Sequence, residues 1–183
     1  KRTAYVTYYY GTDGRKYTGW QQIGGKWYYL NADGILQTGL CREIPVRGKD
    51  GEKDTYYFNS SGVLQNGWFR FTENRKYVWR YFGADGRELP YEPIKGGSAN
   101  LTPKGEKNNA YQWYQVEEPG ANGKTVENWY CIYNNATVLK NFYNIGTWRY
   151  YFDAKTGVLQ KGDFAVGSVW YHSEPDTGAI HRS

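Results

Sequence analysis

Trp20 and Trp27 stand on either side of Gly24-Gly25, and they are the residues of this chain whose type and spacing most directly suggest chemistry. The runs Trp20 to Ile23 and Lys26 to Leu30 alternate in polarity, and a Gly-Gly pair between such runs signals a two-residue hairpin turn that needs positive φ. Pairing about that turn sets Ile23 opposite Lys26, Gln22 opposite Trp27, Gln21 opposite Tyr28 and Trp20 opposite Tyr29. Side chains alternate across a strand, so Trp20, Gln22, Trp27 and Tyr29 share one face. Rings around an amide make a ligand platform: flat surfaces for the C–H face of a sugar or for an alkylammonium, and a polar group to orient it.

The same arithmetic applies further along. A hairpin tipped at Asn74-Arg75 collects Trp68, Arg70, Trp79 and Tyr81, with Arg70 where Gln22 stood. The hairpin at 142 collects Phe142, Asn144, Arg149 and Tyr151, and the last one Asp163, Ala165, Trp170 and His172. The aromatic face thins along the chain. Rows of rings also serve as packing between hairpins, but recurrence of two tryptophans at matching places favours ligand contact for Trp20, Trp27, Trp68 and Trp79.

Catalysis has little support. The two histidines, His172 and His181, belong to no Ser-His-Asp or Cys-His arrangement, and carboxylates such as Asp13, Asp33 and Asp85 fall at turn positions. Asp163 and His172 read as a cross-strand surface pair. Cys41 and Cys131 lack metal-ligand spacing and are expected as unpaired strand residues. The Asn-x-Ser/Thr triplets at Asn59, Asn100 and Asn135 read as turn chemistry. No cofactor or metal is expected.

The elements that must carry these faces are strands. Among 183 residues there are 20 Tyr, 8 Trp, 7 Phe and 23 Gly but no Met, a composition that builds its interior from aromatic rings on strands. The net charge of +5 is spread without a basic run, which argues against nucleic-acid binding. No apolar segment is long enough to span a bilayer, and Lys1-Arg2-Thr3-Ala4-Tyr5 is not a signal peptide.

Between hairpins the chain repeats Gly-(Ile or Val)-Leu-Gln-x-Gly at 34–39, 62–67 and 157–162. A lone hairpin is marginal in water, whereas hairpins joined by similar links can stack and stabilise their neighbours. The expected fold is therefore all-β, a β-solenoid of stacked β-hairpins interrupted by an irregular insertion. N-terminal repeats are expected over 1–86, an insertion with a decorated hairpin over 87–133, and C-terminal repeats over 134–183. Pro90, Pro93, Pro103 and Gly96-Gly97 mark the insertion. The link leucines with Tyr28, Leu30, Phe58, Phe82 and Phe152 are the expected core.

The unit Gly-Trp-x4-Gly-x-Trp-Tyr-Tyr-Leu at 19–30, followed by glycines at 34 and 39, resembles the cell-wall-binding repeats of choline-binding proteins, glucan-binding domains of glucansucrases and clostridial toxin repeats. The match is close at 19–39, good at 55–86 and 142–162, weaker at 5–18 and 163–178, and absent from 87–109. In the choline-binding branch the resemblance implies a quaternary ammonium held by Trp20, Trp27 and Tyr57. Leu40 and Thr55 replace both tryptophans at the next interface, and Arg70 beside Trp68 and Trp79 would repel a cation and compete for their rings. The expectation is thus a non-catalytic module binding an α-glucan or a cell-wall glycan with avidity from arrayed weak sites. A choline module and a spacer or adhesin are the alternatives. The resemblance further implies a secreted or cell-surface protein of a Gram-positive bacterium.

Overall fold

The computed structural model describes residues 5–94 and 110–181. Much of the expected insertion, with Gly96-Gly97, Asn100 and Pro103, lies outside the described residues, as does the start at 1–4.

The chain is all-β, with no helix among the described residues. Its strands are β1 (Gly19–Ile23), β2 (Lys26–Leu30), β3 (Gly39–Pro45), β4 (Lys53–Phe58), β5 (Gly67–Glu73), β6 (Lys76–Phe82), β7 (Glu88–Leu89), β8 (Glu92–Pro93), β9 (Tyr111–Pro119), β10 (Thr125–Tyr133), β11 (Thr137–Val138), β12 (Asn141–Ile145), β13 (Trp148–Phe152), β14 (Asp163–Val166) and β15 (Val169–His172). They form successive antiparallel hairpins. Two compact units result, one from the described residues of Lys1–Gly67 and Tyr81–Glu88, the other from those of Trp68–Arg80 and Leu89–Ser183.

The registers are those that turn chemistry dictates. In β1–β2, Trp20 faces Tyr29 and Gln22 faces Trp27, around Gly24 and Gly25 at φ 60° and 78°. Asn74 and Arg75 take φ 49° and 64°, the two positive values that a primed turn between β5 and β6 requires. Phe142 pairs with Tyr151 and Asn144 with Arg149, and Asp163 pairs with His172. The decorated hairpin is longer than its alternating core suggested. Its arms β9 and β10 pair from Tyr111 with Tyr133 to Pro119 with Thr125, in a sheet ordered β11-β10-β9-β8.

The links hold the hairpins in stacks. Within a link the Asn31 side-chain oxygen accepts the amides of Asp33 and Ile35, each at 3.0 Å, and Asn59 does the same for Ser61 and Val63. Asp153 plays this part for Lys155 and Thr156, and these bonds hold its carboxyl below the usual range. The link glutamines Gln37, Gln65 and Gln160 each donate their amide to the carbonyl two residues earlier. Each link then reaches back to the preceding repeat. The backbone amides of Leu36, Leu64, Leu159 and Ile180 donate to the carbonyls of Thr7, Trp27, Trp129 and Arg149, each at 2.8 Å. Glu88 stands where these apolar residues stand, and that is where the repeat register ends.

Burial follows the stacks. In the first unit Ile44, Tyr56 and Phe58 form a core against which Trp20, Tyr29, Cys41 and Leu64 pack. In the second, Trp113, Cys131, Leu139, Tyr150, Phe152 and Leu159 lie together. Leu30, Phe58, Phe82 and Phe152 are fully buried, whereas Tyr28 is half-exposed with its ring edge-on to Tyr9. Cys41 and Cys131 are free thiols.

A link glycine is where one repeat touches the previous leucine. A Cβ on Gly62, at φ 82°, would come within 2.7 Å of the Leu36 side chain, while Gly39 at φ 75° would meet nothing. Gly62→Ala and Gly39→Ala share the left-handed penalty of about 1–2 kcal/mol, but only the former adds an overlap of about 1–3 kcal/mol. Urea unfolding should show Gly62→Ala as the more destabilised variant. Equal midpoints would mean that the leucine contact does not hold the stack.

Candidate functional site

Trp20 lies at the centre of a nest of rings. Its ring centroid is 4.9 Å from that of Tyr56, 5.3 Å from Tyr29, 5.8 Å from Phe58 and 6.4 Å from Trp27. Most of these contacts are edge-on, the geometry that aromatic quadrupoles favour. The indole N–H donates to the Pro45 carbonyl at 2.7 Å. Trp20 is therefore a packing residue as well as a candidate contact.

The long tip of β3–β4 makes that bond possible. A bulge between Cys41 and Ile44 shifts the register, with Glu43 at φ 59°, and the tip turns toward the first hairpin. It also brings Arg47, whose guanidinium carbon sits 3.7 Å from the centre of the Trp27 ring. The Trp27 face is thus covered by a cation of the chain itself.

Beside this nest is a cavity of about 130 Å³, lined among others by Trp20, Arg47, Lys49, Tyr56, Asp85 and Arg87. Arg87 donates to Asp54 at 2.8 Å and lies 3.5 Å from Glu52. The bond to Asp54 holds its guanidinium more basic than usual. Gln22 is exposed and lines a different groove, of about 590 Å³, with Tyr9, Tyr10, Tyr17 and Tyr28. Tyr57 is half-buried with its ring 6.0 Å from Phe82.

The second candidate face belongs largely to the other unit. Trp68 is ringed by Tyr91 at 4.8 Å, Tyr130 at 5.4 Å and Tyr114 at 5.9 Å. The Trp79 indole donates to the Asn135 side-chain oxygen at 2.8 Å, and Arg70 donates to the Asn135 backbone carbonyl at 2.9 Å while lying over Tyr77 at 4.0 Å. Asn135 is in positive φ at a turn. Tyr81 is buried and belongs to the first unit.

Trp129 repeats the Trp27 arrangement. Its carbonyl accepts the Leu159 amide as that of Trp27 accepts Leu64, and Lys161 Nζ stands 3.1 Å from its ring centre. Burial lowers the Lys161 pKa from its ordinary value. Arg47 and Lys161 were not singled out from sequence, and Asn135 was read there only as a turn residue, which it is. A basic or amide residue in a turn or a link is their signal, but its destination depends on how that segment folds back.

Residues 18–36 and 49–64 match the family model of a choline-binding type of cell wall binding repeat. Choline binding protein F from Streptococcus pneumoniae is 23% identical over 99% of this chain and 50% of its own, with a TM-score of 0.36. The choline binding domain of Spr1274 from the same organism is 36% identical over 39% of this chain and 82% of its own, with a TM-score of 0.29. An alternansucrase in complex with isomaltotriose is 20% identical over 96% of this chain and 12% of its own, with a TM-score of 0.29. The chain spans about half the length of choline binding protein F. No curated protein matches it.

Burial, then the nearby Asp85 carboxylate, pushes the Tyr56 phenol up to about 12. The neutral phenol is favoured in the folded state, so its contribution to stability is whole below the unfolded value near 10 and is lost as pH rises through about 12. Alkaline titration followed at the phenolate absorbance should contain a late phase that Tyr56→Phe diminishes. A Tyr56 phase near the unfolded value with the fold intact would show that the ring nest is open to solvent.

Proposed function

We propose that this chain is a non-catalytic repeat module that attaches a secreted or cell-surface protein to an α-glucan or a cell-wall polysaccharide. The organisation into repeats at 1–86, an insertion at 87–133 and repeats at 134–183 is part of this reading. So is the placement of contacts at Trp20, Gln22, Trp27, Tyr29, Tyr57, Trp68, Arg70, Trp79 and Tyr81.

The carrying observation is that Arg47 lies on Trp27 at 3.7 Å. A quaternary ammonium at Trp20, Trp27 and Tyr57 would have to displace a guanidinium that already takes the ring's negative face. Lys161 takes the same place on Trp129, so the preference recurs. A sugar needs no such displacement. Its ring can lie on the free edge or opposite face of a half-exposed indole, and the guanidinium beside it can donate to hydroxyls.

The non-catalytic reading is supported by what the carboxylates do. Asp13 and Asp85 accept backbone amides in turns, Asp54 is bonded to Arg87, and Glu118 accepts Tyr130 and Asn128. Each is committed to structure. A surface location accords with the repeat family matched at 18–36 and 49–64, and no helix of the described residues is long and apolar enough to cross a membrane.

Trp27 is the better test of this site than Trp20, which also holds the core. Trp27→Ala should weaken retention in affinity electrophoresis on dextran, starch or peptidoglycan by about 2–10-fold, the scale of one stacking contact. Free choline should not release the wild-type chain. Release by choline but not by sugars would overturn the polysaccharide reading in favour of a choline module, and no retention on any polymer would leave a spacer.

A further inference from the structure

A third groove, of about 800 Å³, lies in the last two hairpins and takes in Asn144, Arg149, Trp170, His172 and His181. It shares no residue with the faces at 20–82. Trp170 is 68% exposed.

The groove's charges are arranged unevenly. Two carboxylates at its margin are held by imidazoles: His172 Nδ1 lies 2.6 Å from Asp163, and His181 Nε2 lies 2.6 Å from Glu174. Each histidine therefore keeps its other ring nitrogen for a ligand. Arg149 lies on the Phe142 ring at 4.0 Å, and among the described residues no carboxylate is within ion-pair distance of it. Its planar fork is suited to a carboxylate or a phosphate.

The frame under these groups is fixed. Asn144 pairs directly with Arg149 across β12–β13, and the Ile180 amide donates to the Arg149 carbonyl at 2.8 Å. That bond brings the His181 segment against the strand that carries Arg149. Amide, guanidinium, imidazoles and an open indole thus converge on one concavity in the second unit.

We infer that this groove is a second saccharide site whose ligand is an acidic sugar unit, stacked on Trp170 with its carboxylate or phosphate on Arg149. Asn144 and the free imidazole nitrogens of His172 and His181 serve the hydroxyls. The site differs from the proposed faces at 20–82 in ligand charge as well as in place.

Isothermal titration of the 183-residue chain with trigalacturonate, glucose 6-phosphate and maltotriose tests the inference, the first two separating carboxylate from phosphate. One acidic probe should bind at least about tenfold more tightly than the neutral one, on the scale of a charge-assisted bond. Arg149→Gln should abolish that difference, and Trp170→Ala, which truncates an exposed ring, should lower affinity for the same probe. Trp27→Ala should leave this binding unchanged, so failure here and failure of the proposed polysaccharide site are distinguishable. Equal affinity for acidic and neutral sugars, no binding, or insensitivity to Trp170→Ala would each overturn it. So would a concentration-dependent dimer that Trp170→Ala dissolves, since a second copy would then own the groove.

Discussion

Each repeat is held to the one before it by a backbone amide at the link apolar residue, and the rest of the structure depends on that bond. Leu64 donates to Trp27, Leu159 to Trp129 and Ile180 to Arg149. The side chain of the same residue supports the next link from below, as Leu36 does at Gly62, Leu64 at Gly86 and Leu159 at Gly178. A hairpin alone buries too little to persist. Joined this way, each hairpin is stabilised by its neighbours, as expected of a repeat array. The rule needs an apolar residue at one place, and at Glu88 that residue is missing.

Because the bond is made by a backbone carbonyl, the side chain at that position is free to vary. It is Trp27 in one repeat, Trp129 in another and Arg149 in a third, with the same amide arriving at 2.8 Å in each. The ring or guanidinium at this position then meets a side chain from a tip, from a link or from its own hairpin. Arg47 covers Trp27, Lys161 covers Trp129, and Arg149 turns onto Phe142. A cation recurs at each, brought by a different route.

Much of the fold was legible from local rules. Gly24-Gly25 was readable as a turn because few residues tolerate its dihedrals, Asn74-Arg75 only as the midpoint of two alternating runs, and period-two alternation set which residues share a face. The spacing of the links gave their position but not their work. That Asn31 and Asn59 serve their own turns, or that the leucine amide reaches back a repeat, required the stack. Tyr28 shows the limit of alternation: it was expected in the core and lines an outer groove with Tyr9 and Tyr17. Tyr130, Tyr150 and Ile132 are fully buried although nothing local distinguished them from the other strand residues.

The candidate site was legible only in part, for a physical reason. A face is a property of one hairpin and follows from register, but occupancy of that face is a property of two elements distant in sequence. Trp27 was placed correctly on its strand; that Arg47 lies over it depends on a bulge at Glu43 and a tip that folds back to bond Trp20 through Pro45. Asn135 reaches Trp79 through a turn still more remote in sequence. In an array of this kind the backbone bonds of the links therefore conserve the stack while side chains from tips, turns and links decide which faces stay open, so ligand chemistry can change at those side chains without disturbing the bonds that hold the repeats together.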